Sequence, residues 1–279
     1  MAILEPLERD GYIHFDDARS KAAGEALAAR YQNAQPFPHI AIDDFLPPDF
    51  LRGLLDEFPD SSGKTFFDRD QERFKFRFGP NEIPGARLRG LLMELNSPAV
   101  LRFLEAMTGI KGLIADPFFV GGGLHETKSG GHLSVHADFN IHKGMQVERR
   151  LNLLVYLNDD WPEEYGGHLE LWDQKMEQCR HRVAPVLGRA VVFNTSLDSY
   201  HGQPDPVTCP PSRSRRSIAT YYYTARAEGV ASLPSRTTNF QPRPASSDKT
   251  DRKFAVDHFM RDWMPPKLYR YAARLNRFK

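Results

Sequence analysis

Gly131-His132-Leu133-Ser134-Val135-His136-Ala137-Asp138 is the stretch whose reading decides this chain. Its pattern predicts a β-strand, on which residues two apart point to the same face. His136 and Asp138 therefore project an imidazole and a carboxylate side by side. A third candidate, His201, lies far downstream, after several more strand-like segments. Two imidazoles and one carboxylate on one face of a metal ion leave coordination positions open for chemistry. His132, four residues before His136, would share its face on an unbulged strand. The two-residue spacing that supplies a carboxylate favours His136.

The surroundings supply the scaffold. Phe118–Leu124, His132–Asn140, Arg150–Asn158, Gly167–Trp172, Arg182–Pro185, Arg189–Asn194 and Ser217–Thr224 read as short strands. Turn signals separate them at Gly121-Gly122-Gly123, Gly130-Gly131, Asn158-Asp159-Asp160, Gly166-Gly167 and Gly188. Many short strands with regular turns predict a sandwich or barrel. Helical spacing dominates earlier, over Ala18–Tyr31, from a capping Asp49 through Phe58, over Ala86–Leu95, over Ser97–Leu104 and over Glu105–Thr108. Phe37–Ile42 reads as a strand, and residues 59–85 as a polar and aromatic loop. The expectation is an α+β fold with a jelly-roll core. It divides into an N-terminal region (1–117), a catalytic core (118–226) and a C-terminal segment (227–279), all in one structural domain. Within the last, 231–247 reads as irregular, and 251–263 and 267–278 as closing helices. The final helix has a basic face with Lys267, Arg270, Arg274, Arg277 and Lys279.

Composition narrows the function classes. The formal net charge is +1, so bulk electrostatics point to neither nucleic acid nor membrane. Two cysteines, Cys179 and Cys209, lack the spacing of a zinc site or a disulfide framework. No apolar run approaches the roughly 20 residues of a membrane span, and no signal peptide is evident at the start. A cytoplasmic location is expected.

Among the ten histidines, His14, His39, His168, His181 and His258 show no partner spacing, and His142 reads as a surface or supporting residue. His201 follows the apolar strand Ala190-Val191-Val192-Phe193, well placed for a barrel mouth. Arg213, Arg215 and Arg216 precede the strand from Ser217 to Tyr223. An arginine at a strand start can grip a carboxylate through two parallel bonds. Arg215 and Ser217 share a face, whereas Arg213 and Arg216 read as solvent-facing.

Together, His136-Ala137-Asp138, His201 and Arg215-Arg216-Ser217 resemble the Fe(II)/2-oxoglutarate-dependent dioxygenases, in particular the prolyl-4-hydroxylase-like branch. Arg150–Asn158, Asp160-Trp161, Tyr165–Leu171 and the opening Phe37-Pro38-His39-Ile40 strengthen the likeness, which covers roughly residues 36–226. The resemblance implies a double-stranded β-helix, a distorted jelly roll. It implies Fe(II) ligands at His136, Asp138 and His201, and 2-oxoglutarate contacts at Arg215, Tyr156 and Ser217. It also implies dioxygen as co-substrate and ascorbate as a candidate reductant. The proline-rich gap from His201 to Arg215 is longer than usual, which keeps Arg213 and Arg216 as alternatives to Arg215. The implied reaction is hydroxylation of an unactivated C–H bond in an amino acid, peptide or small metabolite, with a proline-type substrate the first guess. Asp138 fills the position where halogenating relatives bind halide. The competing readings are a cupin-like metalloenzyme without 2-oxoglutarate and a non-catalytic binding module. Phe139, Asn140 and Trp172 are candidates for shaping the pocket.

Overall fold

The structure, a computed structural model, describes residues 2–60, 65–226 and 235–249. The closing helices expected at 251–263 and 267–278 lie outside the described residues. In chain order the elements begin with β1 (Leu7–Arg9), β2 (Tyr12–His14), α1 (Asp17–Gln32), β3 (His39–Ile42) and α2 (Pro48–Arg52). A hairpin of β4 (Thr65–Arg69) and β5 (Glu72–Phe78) leads to α3 (Ala86–Glu94) and α4 (Pro98–Thr108). The barrel strands follow: β6 (Ile114–Ala115), β7 (Gly123–Ala137), β8 (Ile141–His142), β9 (Val147–Tyr156) and β10 (Leu169–Trp172). The last are β11 (Cys179–Val183), β12 (Ala190–Asn194), β13 (His201–Gln203), β14 (Ser214–Thr224) and β15 (Asn239–Phe240).

Thirteen of these strands form one antiparallel sheet, with the central order β11-β10-β13-β7-β14-β9-β12-β3. It curls into a nearly closed jelly roll, the double-stranded β-helix expected. Strand alternation builds its two faces. On β9, Leu151, Leu153 and Val155 join the large core beneath the helices, while Leu154 and Tyr156 belong to a second apolar cluster. On β12, Ala190 and Val192 face the first cluster, Val191 and Phe193 the second. Apolar burial on the helix side thus fixes which residues must face the barrel interior, because a one-residue slip would reverse every side chain. Helix α1 starts at Asp16, whose carboxylate accepts from Arg19 N at 2.8 Å. It presents Ser20, Gly24, Leu27 and Tyr31 inward. A Cβ at Gly24 would lie 2.2 Å from the Phe103 carbonyl, so α1 and α4 pack only because that side chain is missing.

Several expectations need correction. Residues 59–85 are not merely a loop: 65–78 form the β4–β5 hairpin, paired to β7. Its alternation is Phe74-Lys75-Phe76-Arg77-Phe78, and its charged face hid a strand because that face lines a cavity rather than water. Gly130-Gly131 is not a turn between strands but lies inside the single long strand β7. There Val207 from the proline-rich segment exchanges backbone hydrogen bonds with both glycines, and a Cβ on Gly131 would strike Arg73 O at 2.7 Å. Phe118 does not start a strand, because the Asp116 carboxylate accepts from Phe118 N and Val120 N and folds the chain into a turn. Asp49 does not cap α2; Pro47 occupies that position and Asp49 sits in the first turn. Residues 98–108 make one continuous helix rather than two. The segment 231–247 contributes β15, which pairs with β7 at His136 and Ala137.

Candidate metal centre and anion pocket

His136 and His201 are direct cross-strand partners, one on β7 and one on β13. Their ring centroids lie 4.5 Å apart, with the planes tilted by 50°. Asp138 follows two residues after His136, just past the end of β7. One ligand atom from each of the three lies within 4.8 Å of the others. Each imidazole is oriented by its own strand: Nδ1 of His136 meets the Ser134 carbonyl and Nδ1 of His201 the Ser199 carbonyl, both at 2.9 Å. Those carbonyls accept from Nδ1 and so turn each Nε2 toward the shared space. Asp138 Oδ1 is 3.6 Å from Nε2 of His136, and Oδ2 is 3.4 Å from Nε2 of His201.

Two residues that were not singled out in the sequence complete this cluster. Arg149 Nη2 lies 3.0 Å from Asp138 Oδ2, and Asn152 Nδ2 donates to the same oxygen at 2.8 Å. Arg149 also donates to Asn152 Oδ1 at 3.0 and 2.7 Å and sits over the Tyr221 ring at 3.6 Å. Burial pushes the Asp138 carboxyl up, but Arg149 and then His201 overcome this and hold it well below the usual carboxylate range. Burial lowers the His201 pKa, opposed by Asp138. A neutral imidazole beside a fixed carboxylate is the donor set a divalent cation requires. The sequence signal for Arg149 was weak: residues three apart share a strand face only where a bulge intervenes. The register of β14 against β9 shifts between Tyr222 and Tyr223, opposite Leu151 and Arg149.

A cavity of about 240 Å³ opens over the cluster. Arg215 and Ser217 line it from β14, and both are buried. Arg215 Nε donates to the Gly167 carbonyl at 2.6 Å, and its guanidinium lies 5.1 Å from the Tyr156 ring. Gly167 has φ +73°, and a Cβ there would lie 2.8 Å from Arg215 Cδ, so glycine is what lets this backbone reach the guanidinium. The Tyr156 hydroxyl is fully buried beside it and completes no hydrogen bond among the described residues. Burial raises the Tyr156 pKa, opposed by Arg215. Arg215 has no carboxylate partner among the described residues. A buried guanidinium and an orphaned hydroxyl are the complement of an anion.

The other sequence candidates sort clearly. Arg213 is not solvent-facing: it donates to the Asp159 and Asp160 carbonyls and lies over Trp161 and Tyr165. Arg216 is likewise partly buried, 4.4 Å over Phe58 and 3.4 Å from Glu126. Neither lines the cavity. Phe139 does line it. Asn140 does not; its Oδ1 accepts from Arg236 N. Trp172 also points elsewhere, donating to Glu170. His142 is not a surface residue: it is buried, 3.5 Å from Asp116. His132 meets the Asp70 carbonyl, away from the triad.

Comparison with known proteins places this geometry. Residues 122–223 match the model of the 2OG-Fe(II) oxygenase superfamily. The matched stretch carries all three converging ligand residues and Arg215, and the family it resembles uses Fe(II) and 2-oxoglutarate. Among curated proteins none matches the sequence. A prolyl hydroxylase from Trichoplax adhaerens, solved with a hypoxia inducible factor peptide fragment, shares the fold. The likeness has TM-score 0.53 and 15% identity, covering 77% of this chain and 96% of that one. A Pseudomonas putida prolyl-4-hydroxylase gives TM-score 0.44 at 20% identity, over 72% of this chain and 100% of its own. HygX from Streptomyces hygroscopicus, solved with nickel and 2-oxoglutarate bound, gives 0.45 at 14% identity, over 73% and 92%. Among the described residues no helix is long and apolar enough to cross a membrane.

Proposed function

We propose that this protein is an Fe(II)- and 2-oxoglutarate-dependent hydroxylase. One observation carries the reading: three metal-ligating atoms converge within 4.8 Å in a cavity that also holds a buried arginine with no counter-ion among the described residues. His136, Asp138 and His201 hold Fe(II). Arg215 binds the distal carboxylate of 2-oxoglutarate, and Tyr156 and Ser217 donate to it. A metalloenzyme of the same fold that does not use 2-oxoglutarate would leave Arg215 buried and unneutralised, at a cost of several kcal/mol.

When bound, Fe(II) with 2-oxoglutarate and dioxygen supplies the oxidising power that puts a hydroxyl on an unactivated C–H bond, releasing succinate and carbon dioxide. The protein's own contribution is positional. The Ser134 and Ser199 carbonyls accept from Nδ1 of the two imidazoles and so keep both Nε2 atoms aimed at the shared space. Arg149 and Asn152 occupy Asp138 Oδ2, so Oδ1 is the oxygen left for the metal. Leu154, Leu169 and Phe193 give the interior an apolar lining that limits water around the reacting atoms. Asp138 occupies the position a halide would need, which favours hydroxylation over halogenation. The substrate class is an amino acid, free or in a peptide, or a similar small metabolite, with a proline-type ring the first choice. The two free cysteines fit a reducing, cytoplasmic setting.

The test is succinate release from 2-oxoglutarate. It should require iron and disappear in His136→Ala and Asp138→Ala, with metal content falling in parallel. Wild-type turnover in either variant would end the assignment.

A further inference from the structure

The hairpin β4–β5 brings a second set of charges to the cavity. Lys75 on β5 is the cross-strand partner of Thr127 on β7, which is in turn the partner of Arg215 on β14. Arg77 pairs with His125, and His125 with Ser217. These two rows cross three adjacent strands, and all six residues line the cavity. Two strand spacings separate the hairpin cations from Arg215, about 10 Å along the sheet. They therefore belong to a different end of the cavity from the one that grips 2-oxoglutarate.

The hairpin end has an excess of positive charge. Glu72 lies 2.8 Å from Lys75 and 2.9 Å from Arg69, so one carboxylate serves two cations. The half-buried Arg77 side chain makes no hydrogen bond or ion pair among the described residues. Around the whole cavity five cations, Arg69, Lys75, Arg77, Arg149 and Arg215, face two carboxylates, Glu72 and Asp138. Fe(II) and 2-oxoglutarate carry opposite charges of equal size, so loading the cofactors leaves this excess in place. A low-dielectric cleft focuses such a field onto whatever enters.

We propose that the substrate carries a carboxylate read by Arg77, with Lys75 beside it. The inference rests on the hydroxylase reading above and narrows its substrate. The cavity of about 240 Å³ must hold 2-oxoglutarate as well, which leaves room for a group of amino-acid size. The carboxylate therefore belongs to the reacting residue itself, either a free amino acid or the C-terminal residue of a peptide. An internal peptide residue offers no anion at that position.

The test is calorimetric titration of the full chain with 2-oxoglutarate present and oxygen excluded. The probes are the twenty proteinogenic L-amino acids, their carboxamides, N-acetylglycyl-L-proline and its amide. The expected result is at least one acid that binds about tenfold tighter than its own amide, the usual worth of a charge-assisted pair. Arg77→Gln should remove that preference and Lys75→Gln reduce it. Binding of the free acids assigns a free amino acid as substrate; preference for the dipeptide acid assigns a chain end. Equal binding of acid and amide, or no binding by any probe, overturns the proposal. A loss of 2-oxoglutarate affinity in Arg77→Gln equal to the loss of probe affinity also overturns it, by reassigning Arg77 to the co-substrate. Iron-dependent succinate release without added substrate, and its loss in His136→Ala, tests the hydroxylase reading separately.

Discussion

The two ends of the cavity treat charge in opposite ways. Around the triad the carboxylate is met by protein: Asp138 has Arg149 and Asn152 on one oxygen and two imidazoles close by. Along the rows from β14 to β5, Arg215 and Arg77 have no carboxylate partner among the described residues, although Arg215 is buried. A partnered cluster holds its geometry before anything binds, as a metal centre must. Unpartnered cations in a confined space are costly until an anion arrives. The contrast separates the part of the site that is prebuilt from the part that is completed by ligands.

The strongest way to break this comparison is at Arg215. Arg215→Gln keeps the shape and removes the charge. The 2-oxoglutarate requirement should rise about 100-fold, the upper range for one charged hydrogen-bonding group. Saturation curves for succinate release measure it, and an unchanged requirement would mean the anion sits elsewhere. The partnered end should respond through the metal instead. Arg149→Gln removes the cation that depresses the Asp138 pKa, so that pKa rises toward its ordinary value and protons compete better with the metal. Metal affinity should fall about tenfold, typical for loss of a group that orients a ligand. The pH at which half the metal is lost should move upward. Equilibrium dialysis across a pH series reads both.

The smallest effect is expected at Glu72, where the hairpin carries its own compensation. Burial pushes this carboxyl up from its ordinary 4.5, yet Lys75 and Arg69 overcome that and hold it at about 2. Because the folded value lies below the unfolded one, the stabilisation is present above about pH 4.5 and is lost as pH falls toward 2. Arg69 is half-exposed, so solvent screening limits the gain, and Glu72→Gln should cost on the order of 1 kcal/mol at neutral pH. Urea denaturation of both proteins should show the difference shrinking as the solution is acidified. A difference that stays constant down to pH 2 would mean the pair contributes through packing rather than charge.

The sequence by itself determined the local half of the site. Strand period put His136 and Asp138 on one face, and the same period put Arg215 and Ser217 on another shared face. The apolar alternation of β9 and β12 fixed which side chains the helices would cover, and so which would line the barrel. Tertiary structure decided the rest. His201 meets His136 only through the β13–β7 register, across a separation of 65 residues that no local pattern encodes. Arg149 reaches Asp138 because the pairing of β9 with β14 shifts beside it, and a shift of register depends on both strands. The hairpin from Thr65 to Phe78 reads as a polar and aromatic loop because its charges mask the strand alternation. Only its pairing with β7 shows that Lys75 and Arg77 face the cavity. Periodicity follows from backbone geometry and is written in each segment; register and enclosure follow from which distant segments pair, and those carry the excess charge that the proposed substrate would neutralise.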